Sequence, residues 1–267
     1  FYINGGNGWV IDLDIEKFFD TVNHDKLISI LRQRVNDAGT LHLIRSFLRA
    51  GVMEDGLVRT YEEGTPQGGP VSPILSNIYL DQLDKELESR GLSFVRYADD
   101  CNIFVKSEMA AERVMESVSR WLENKLRLKV SPTKTKVVRP NESEFLGFGF
   151  YRDAHGWQCK PSKSRKQRLM NKVKDVTKRN KATAMPLHVT FNKVNSIVRG
   201  WINYFKIGKM KGFMKEFGEW LRHKMRVVIV KQWKRPRTIY KNLQKLNRQF
   251  KCDISDGDIF AAAHSRL

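Results

Sequence analysis

Residues 9–14, WVIDLD, alternate apolar and polar positions and predict a half-buried strand that ends at Asp14. Over 18–34 the period lengthens to that of a helix, with Phe18, Phe19, Val22, Leu27, Ile30 and Leu31 on one stripe. A second helical stretch, 41–50, stops at Gly51, and 51–64 has strand character with a turn at Glu54-Asp55-Gly56. Gly64-Thr65-Pro66-Gln67-Gly68-Gly69-Pro70 is a loop that no helix can cross. Beyond it a helix runs from Ser72 or Pro73 to about Ser89, with Pro73 where a missing N–H costs least. Two β-rich runs, 93–97 and 101–105, leave only Ala98-Asp99-Asp100 between them, so they predict a hairpin with carboxylates at its tip. A helix over 109–125, a strand near 128–130 and a second hairpin over 144–150 follow. This order predicts an α+β layer, one antiparallel sheet backed by helices.

Past residue 160 the strand signals stop. Helical spacing covers 162–181, 190–205 and 210–233, with breaks near Pro186 and Gly208 and an end at Pro236. Two shorter helical stretches, 239–250 and 258–265, close the chain. The predicted division is an α+β part over 1–151, an all-α part over 152–238, and the start of a further helical segment over 239–267. The first residue is not Met and the last follows an alanine-rich helix, so both ends read as cuts through a longer reading frame.

Charge sharpens that division. Residues 1–150 hold 19 Lys and Arg against 22 Asp and Glu, whereas 151–267 hold 29 against 7, a net of +22. Segregated positive charge on a helical part points to the phosphate backbone of a nucleic acid. A soluble basic domain or a binder of anionic membranes is the plainer alternative; separately, no run approaches the 18 or so apolar residues of a membrane span. Cys101, Cys159 and Cys252 are too widely spaced for a disulfide framework or a zinc site, which fits reduced thiols in the cytoplasm.

Tyr97-Ala98-Asp99-Asp100 is the most informative string. Adjacent carboxylates repel unless a cation lies between them, and Asp14 at the end of its strand is the obvious third oxygen ligand. Mg²⁺ prefers such hard donors and completes its shell with water and substrate phosphate. An ordinary polar turn is the alternative for this short string alone. Asp12, two residues before Asp14 on the same strand face, is a second choice. His24 has no Cys or second His at ligand spacing and reads as structural.

The order Asp14, Gln67-Gly68, Tyr97-Ala98-Asp99-Asp100, Lys134, Phe145-Leu146-Gly147 resembles the palm of a reverse transcriptase. Residues 14–24, DIEKFFDTVNH, and 64–77, GTPQGGPVSPILSN, are similar to blocks of the group II intron reverse transcriptase/maturase family, and the second argues against the retron branch. Arg199-Gly200-Trp201-Ile202-Asn203-Tyr204-Phe205 resembles its maturase-specific thumb, and Ala261-Ala262-Ala263-His264-Ser265-Arg266 the segment after it. The fingers of that family would precede Phe1.

The resemblance implies roles. Asp14, Asp99 and Asp100 are the catalytic residues and hold two Mg²⁺ ions, for which Mn²⁺ can substitute. Ile15, Phe18, Gln67, Gly68 and Lys134 serve the incoming nucleotide, Phe18 as the gate against a ribose 2′-hydroxyl and Lys134 at the departing pyrophosphate. Phe145, Leu146 and Gly147 form the primer grip. Each also has a structural reading, as core Phe, loop glycine, solvated lysine or sheet core.

In the second half, Lys163, Arg165, Lys166, Arg168 and Lys172 recur beside Leu169, Met170 and Val173, a basic face over an apolar stripe suited to RNA. Lys231, Lys234 and Arg235 form the densest basic cluster and a second RNA contact. Trp201, Tyr204 and Phe205 at i, i+3, i+4 read as helix core. The implied partners are intron RNA, an RNA template paired with a DNA primer, and dNTPs. No membrane is implied, and a homodimer is compatible. The implied activity is RNA-directed DNA polymerisation with splicing assistance. A non-catalytic RNA-binding splicing factor, an inactive fragment, and a relative serving spacer acquisition or phage defence are the rivals.

Overall fold

The computed structural model describes residues 2–50, 52–54, 57–59, 63–65, 69–250 and 254–264, with backbone alone at 52–54 and 57–59. The expected turn at Asp55-Gly56, Gln67, Gly68, Cys252, Ser265 and Arg266 lie outside them. The chain divides into two compact units, Phe1–Trp157 and Gln158–Leu267.

In the first unit the elements run β1 (Trp9–Leu13), α1 (Phe18–Thr21), α2 (His24–Arg32), α3 (Ala38–Arg49), β2 (Val52–Glu54), β3 (Leu57–Arg59), α4 (Ser72–Ser89), β4 (Ser93–Tyr97), β5 (Asp100–Val105), α5 (Glu108–Trp121), β6 (Lys136–Val138), β7 (Glu144–Phe145), β8 (Phe148–Asp153) and β9 (Gly156–Pro161). The central sheet has the antiparallel order β4-β5-β1-β6, and β7-β8-β9 form a second sheet. The division between the units falls inside β9, a few residues beyond the 151/152 boundary read from composition.

Side-chain alternation decides what each face of the central sheet does. Ile11, Leu13, Cys101 and Ile103 point to one side and join the main core with Leu27, Leu75, Tyr79, Leu80, Leu83, Leu87 and Val118. Burying these side chains is worth about 1.5–3 kcal/mol each before entropy is charged against it. Tyr79 reaches through this core to donate its hydroxyl to the Leu126 carbonyl at 2.6 Å, and burial pushes that phenol up to about 12. On the opposite face Val10 and Phe104 are buried under Ile3, with Tyr2, Phe150 and Trp157 packed against them, while the rest of that face stays polar.

The predicted 18–34 helix is two. Val22 and Asn23 are extended, and the Asn23 side chain accepts from the Lys26 amide at 2.9 Å, starting α2 afresh. Helix α3 begins earlier than predicted because Asp37 caps it through the Thr40 amide. The strand expected at 128–130 makes only an isolated bridge between Ile15 and Val130, and the edge of the sheet is β6 instead.

The second unit carries α6 (Lys163–Val176), α7 (Arg179–Ala184), α8 (Leu187–Phe205), α9 (Lys211–Trp233), α10 (Pro236–Phe250) and α11 (Asp256–His264). Its core joins Leu169 and Val173 of α6, Val194 of α8, and Phe217 and Met225 of α9. Trp201 anchors an aromatic ladder, with ring centroids 4.7 Å from Phe205 and 5.4 Å from Phe213. The single helix expected over 162–181 ends at Val176, where the Thr177 hydroxyl turns back to the Val173 carbonyl.

Candidate active site

Cross-strand register assembles the site. Leu13 pairs with Cys101, and the next residues, Asp14 past the end of β1 and Asp100 at the start of β5, both line one cleft. On the other side Asp12 pairs with Lys136, which brings Lys134 beside Asp14. The Lys134 ammonium lies 3.3 Å from each Asp14 carboxylate oxygen. Although Asp14 lies past the strand, its backbone is fixed. Its N–H donates to the Thr135 hydroxyl at 3.1 Å, and its carbonyl accepts from the Ser131 amide at 2.8 Å.

Asp12, Asp14, Asp100, Asn102, Lys134, Lys136, Glu142, Glu144 and Phe145 line an open cleft of about 300 Å³ over this end of the sheet. Asp12 is committed to a network within it. Its Oδ1 accepts from Ser143 Oγ at 2.7 Å and from Asn102 Nδ2 at 2.9 Å, and Lys136 Nζ lies 3.7 Å from its other oxygen. Burial raises the Asp12 pKa, and the bonds from Ser143, Lys136 and Asn102 oppose that rise. A carboxylate already satisfied by three partners is a poor candidate for a metal ligand, so Asp14 is the better one.

Tyr97 pairs with Asp100, which leaves Ala98 and Asp99 as a two-residue turn. Ala98 has φ +54°, a conformation that costs an alanine about 1–2 kcal/mol. Asp100 lines the cleft, whereas Asp99 sits half-buried in the turn and is not among the lining residues. Among the described residues no three His, Cys, Asp or Glu side chains are gathered into a cage. Asp14 and Asp100 nevertheless fit a hard cation, because Mg²⁺ takes one or two carboxylates and borrows the rest.

Other predicted residues are placed differently. Ile15 and Phe18 are 3% and 2% exposed, inside the main core, with the Phe18 ring edge-on to Phe19 at 5.5 Å. Phe145 lines the cleft and pairs with Phe148, so Leu146 and Gly147 alone form the hairpin turn, at φ +51° and +82°. Those values define a type I′ turn, which matches the twist of the strands.

The loop that leads to Gln67 and Gly68 is tied beside α1. The Gly64 amide donates to Val22 O at 2.7 Å, the Thr65 amide to Phe19 O at 2.6 Å, and His24 Nε2–H to Gly64 O at 2.6 Å. At φ +93° a Cβ on Gly64 would stand 2.9 Å from the Phe19 and Asp20 carbonyl oxygens, so only glycine fits. His24 is thus a structural tether, and it is 5% exposed.

The sequence reading passed over Asn102, Thr135, Lys136 and Ser143. The alternation of Lys134 and Lys136 is a strand signal, but it acquires meaning only when β6 is known to pair with β1.

In the second unit Lys163, Arg165, Arg168 and Lys172 stand exposed on α6, and Lys234 and Arg235 at the end of α9, with Lys231 half-buried before them. Lys166 differs. Its ammonium lies 5.2 Å over the Phe213 ring, and burial lowers its pKa, so it packs against the core more than it faces solvent. Trp201 and Phe205 are core, while Tyr204 is 53% exposed.

Residues 2–150, more than half of the chain, match the family described as reverse transcriptase (RNA-dependent DNA polymerase). The chain belongs to that family. Residues 166–247 match the group II intron maturase-specific domain, which places this chain in the group II intron reverse transcriptase/maturase class. Its sheet with one helix-covered face is the palm, and its second unit is the helical, basic part expected after it.

Protein YkfC of Escherichia coli K12 is 34% identical over 174 residues, covering 52% of this chain and 46% of that protein. The group II intron-encoded protein LtrA of Lactococcus lactis is 26% identical over 234 residues, covering 63% of this chain and 39% of that protein. A COX1/OXI3 intron 2 protein of Saccharomyces cerevisiae is 35% identical over 134 residues, covering 49% of this chain and 14% of that protein. The chain therefore spans less than half the length of these curated relatives. Among solved structures, telomerase from Candida albicans in complex with a telomeric RNA fragment superposes with a TM-score of 0.47 at 14% identity, over 97% of this chain and 50% of that one.

Proposed function

We propose that the chain carries the palm and thumb of an RNA-directed DNA polymerase that also binds its intron RNA and assists splicing. The observation that carries the polymerase reading is that Asp14, just past the end of β1, and Asp100, the first residue of β5, line one open cleft, with Lys134 on Asp14. Asp14 and Asp100, joined by Asp99 from the turn, would hold two Mg²⁺ ions, or Mn²⁺ in their place. When bound, such ions lower the pKa of the primer 3′-hydroxyl and neutralise charge on the leaving pyrophosphate.

The protein's own part is positioning. Phe145-Leu146-Gly147 presses on the primer backbone, and the rigid type I′ turn holds it there. Ile15, Phe18, Gln67 and Gly68 shape the nucleotide site around the loop tethered by His24. Phe18, whose ring lies in the main core, supports that site from beneath and acts on the sugar through the surface it supports. Lys134 exchanges Asp14 for the developing pyrophosphate charge. Since catalysis of this kind comes from alignment and electrostatics, no covalent intermediate on the chain is required.

Residues 1–151 act as the palm and residues 152–238 as the thumb, with 239–267 opening a further helical segment. The second unit's exposed basic side chains, Lys163, Arg165, Arg168, Lys172, Lys234 and Arg235, follow the backbone of an A-form duplex or of intron RNA, with Lys231 and the inward-packed Lys166 behind them. No helix among the described residues is long and apolar enough to cross a membrane.

The test is primer extension on an RNA template with Mg²⁺ and dNTPs. Template-directed extension establishes the polymerase. Tight, salt-sensitive RNA binding without any extension would instead support a non-catalytic splicing factor that keeps the fold.

A further inference from the structure

Arg96 is out of place by composition. It lies on β4 and pairs with Cys101, so it points to the apolar side of the sheet with Phe94 and Ile103 rather than toward the cleft. Its side chain is 11% exposed, and that of its partner Asp84 on α4 is 23% exposed. Removing a guanidinium from water to that degree is unfavourable unless nearly every N–H is used. Here they are used. Nε and Nη2 donate to the two Asp84 oxygens at 2.6 and 2.5 Å. Nη1 donates to Asn77 Oδ1 at 3.2 Å and to the Ala98 carbonyl at 2.8 Å.

The last bond matters most. Ala98 is the strained first residue of the carboxylate turn, and its carbonyl belongs to the same peptide plane as the Asp99 amide. Fixing that carbonyl fixes the plane from which Asp99 hangs and the entry of Asp100 into β5. The bidentate pair with Asp84 fixes the guanidinium in turn, and only the planar fork of arginine can serve both partners together. A continuous path therefore runs from helix α4, through Asp84 and Arg96, to the Ala98–Asp99 peptide.

We infer that Arg96 is a positioning residue for the catalytic turn, held in register by Asp84 and Asn77. It touches neither substrate nor metal and acts by keeping a strained turn from relaxing. A merely stabilising role would be filled as well by an apolar residue of similar length, which would leave the Ala98 carbonyl unheld. The inference rests on the polymerase reading for its catalytic consequence and on geometry alone for its effect on the turn.

The paired substitution Arg96→Met with Asp84→Leu removes both charges and keeps the packing volume, and Arg96→Lys keeps the charge and loses the fork. Hydrogen exchange across 93–105 is measured for each beside primer-extension kcat and KM. We expect the paired variant to fold, with exchange at the Asp99 and Asp100 amides faster by about tenfold or more. Its kcat should fall by about 10–100-fold, the scale set by a sub-ångström to ångström misplacement, with KM for template–primer within about twofold. Arg96→Lys should also fold and, lacking the fork, should show a comparable loss of kcat. A folded paired variant with wild-type exchange at the turn and wild-type kcat overturns the inference. If the wild type extends no primer, the polymerase reading fails, while the exchange comparison still decides whether Arg96 holds the turn.

Discussion

Lys134 spans the gap between neighbouring strands so that its ammonium meets both carboxylate oxygens of Asp14 at 3.3 Å. The lysine is 70% exposed and the aspartate 27%, so the pair is worth about 1 kcal/mol or less. Its value is as a counter-charge that a metal ion or a pyrophosphate can displace. Lys134→Met should leave thermal stability within about 1 kcal/mol of wild type and strengthen Mn²⁺ binding by up to about fivefold. Extension should slow because the leaving group loses its cation. Paramagnetic titration with Mn²⁺ beside single-turnover kinetics checks both. Unchanged metal affinity would separate Lys134 from the metal site.

Leu146 sits at φ +51° in a two-residue turn whose other member is Gly147. Asparagine tolerates that conformation better than leucine, and Asn-Gly is the preferred type I′ pair. Leu146→Asn should stabilise the chain by about 0.5–1 kcal/mol, or about 1–4 °C in Tm. The same change should raise KM for the primer, because the apolar side chain at the tip is lost. A calorimetric scan and a primer titration read the two effects separately, and a gain in stability with no cost in primer binding would remove Leu146 from the grip.

Asp175 is the one acidic residue of α6, and Lys178 and Lys181 each approach its carboxylate to 2.9 Å. Hydrogen bonds from these two lysines, then their charges, lower its pKa from the ordinary 3.8 to about 2. Because the folded value is the lower one, the pairs contribute stability that is fully present above the ordinary carboxylate range and is lost as pH falls through about 2. NMR titration of the Asp175 carboxyl should show this low midpoint in the wild type and a return toward 3.8 in the Lys178→Met, Lys181→Met double variant. A wild-type midpoint near the ordinary value would mean the ion pairs do not persist in solution.

Exposed basic residues on α6 and at the end of α9 should govern how RNA binding responds to salt. Each phosphate contact contributes about 0.7–0.9 to the slope of log K against log salt. Replacing Lys163, Arg165, Arg168 and Lys172 with alanine should reduce that slope by about 2–4, and replacing Lys234 and Arg235 by about 1–2. Lys166→Ala should change it little, since that ammonium packs over Phe213. Filter binding at several salt concentrations gives the slopes. Equal effects from Lys166 and Arg168 would contradict the division between packed and exposed basic side chains.

Much of this was legible in the sequence, for reasons that differ between elements. The YADD hairpin was read correctly because two β-rich runs flank a short polar tip, a local signal. The helical second half was equally plain from its period and charge. What escaped were features that depend on strand pairing. Nothing local distinguishes Lys136 from any solvated lysine until β6 lies beside β1 and sets it opposite Asp12. Ser143 gains its bond to Asp12 only through a loop 131 residues away in sequence. The burial of Phe18 was not legible either: its place four residues after Asp14 marks it for the nucleotide, and nothing local shows that its ring joins the main core beside Phe19. The inward face of Arg96 was hidden because alternation along β4 alone cannot say which side the helices cover.

The most direct test of the account compares four carboxylate variants in one primer-extension assay on an RNA template, with template binding measured in parallel. Asp14→Asn, Asp99→Asn and Asp100→Asn should each abolish extension and keep template affinity within about threefold, because each removes a negative metal ligand without touching the basic second unit. Asp12→Asn should fold less stably but still extend, since that side chain is engaged by Ser143 and Asn102. Wild-type extension by Asp100→Asn, or loss of extension in Asp12→Asn alone, would contradict the assignment of the catalytic centre.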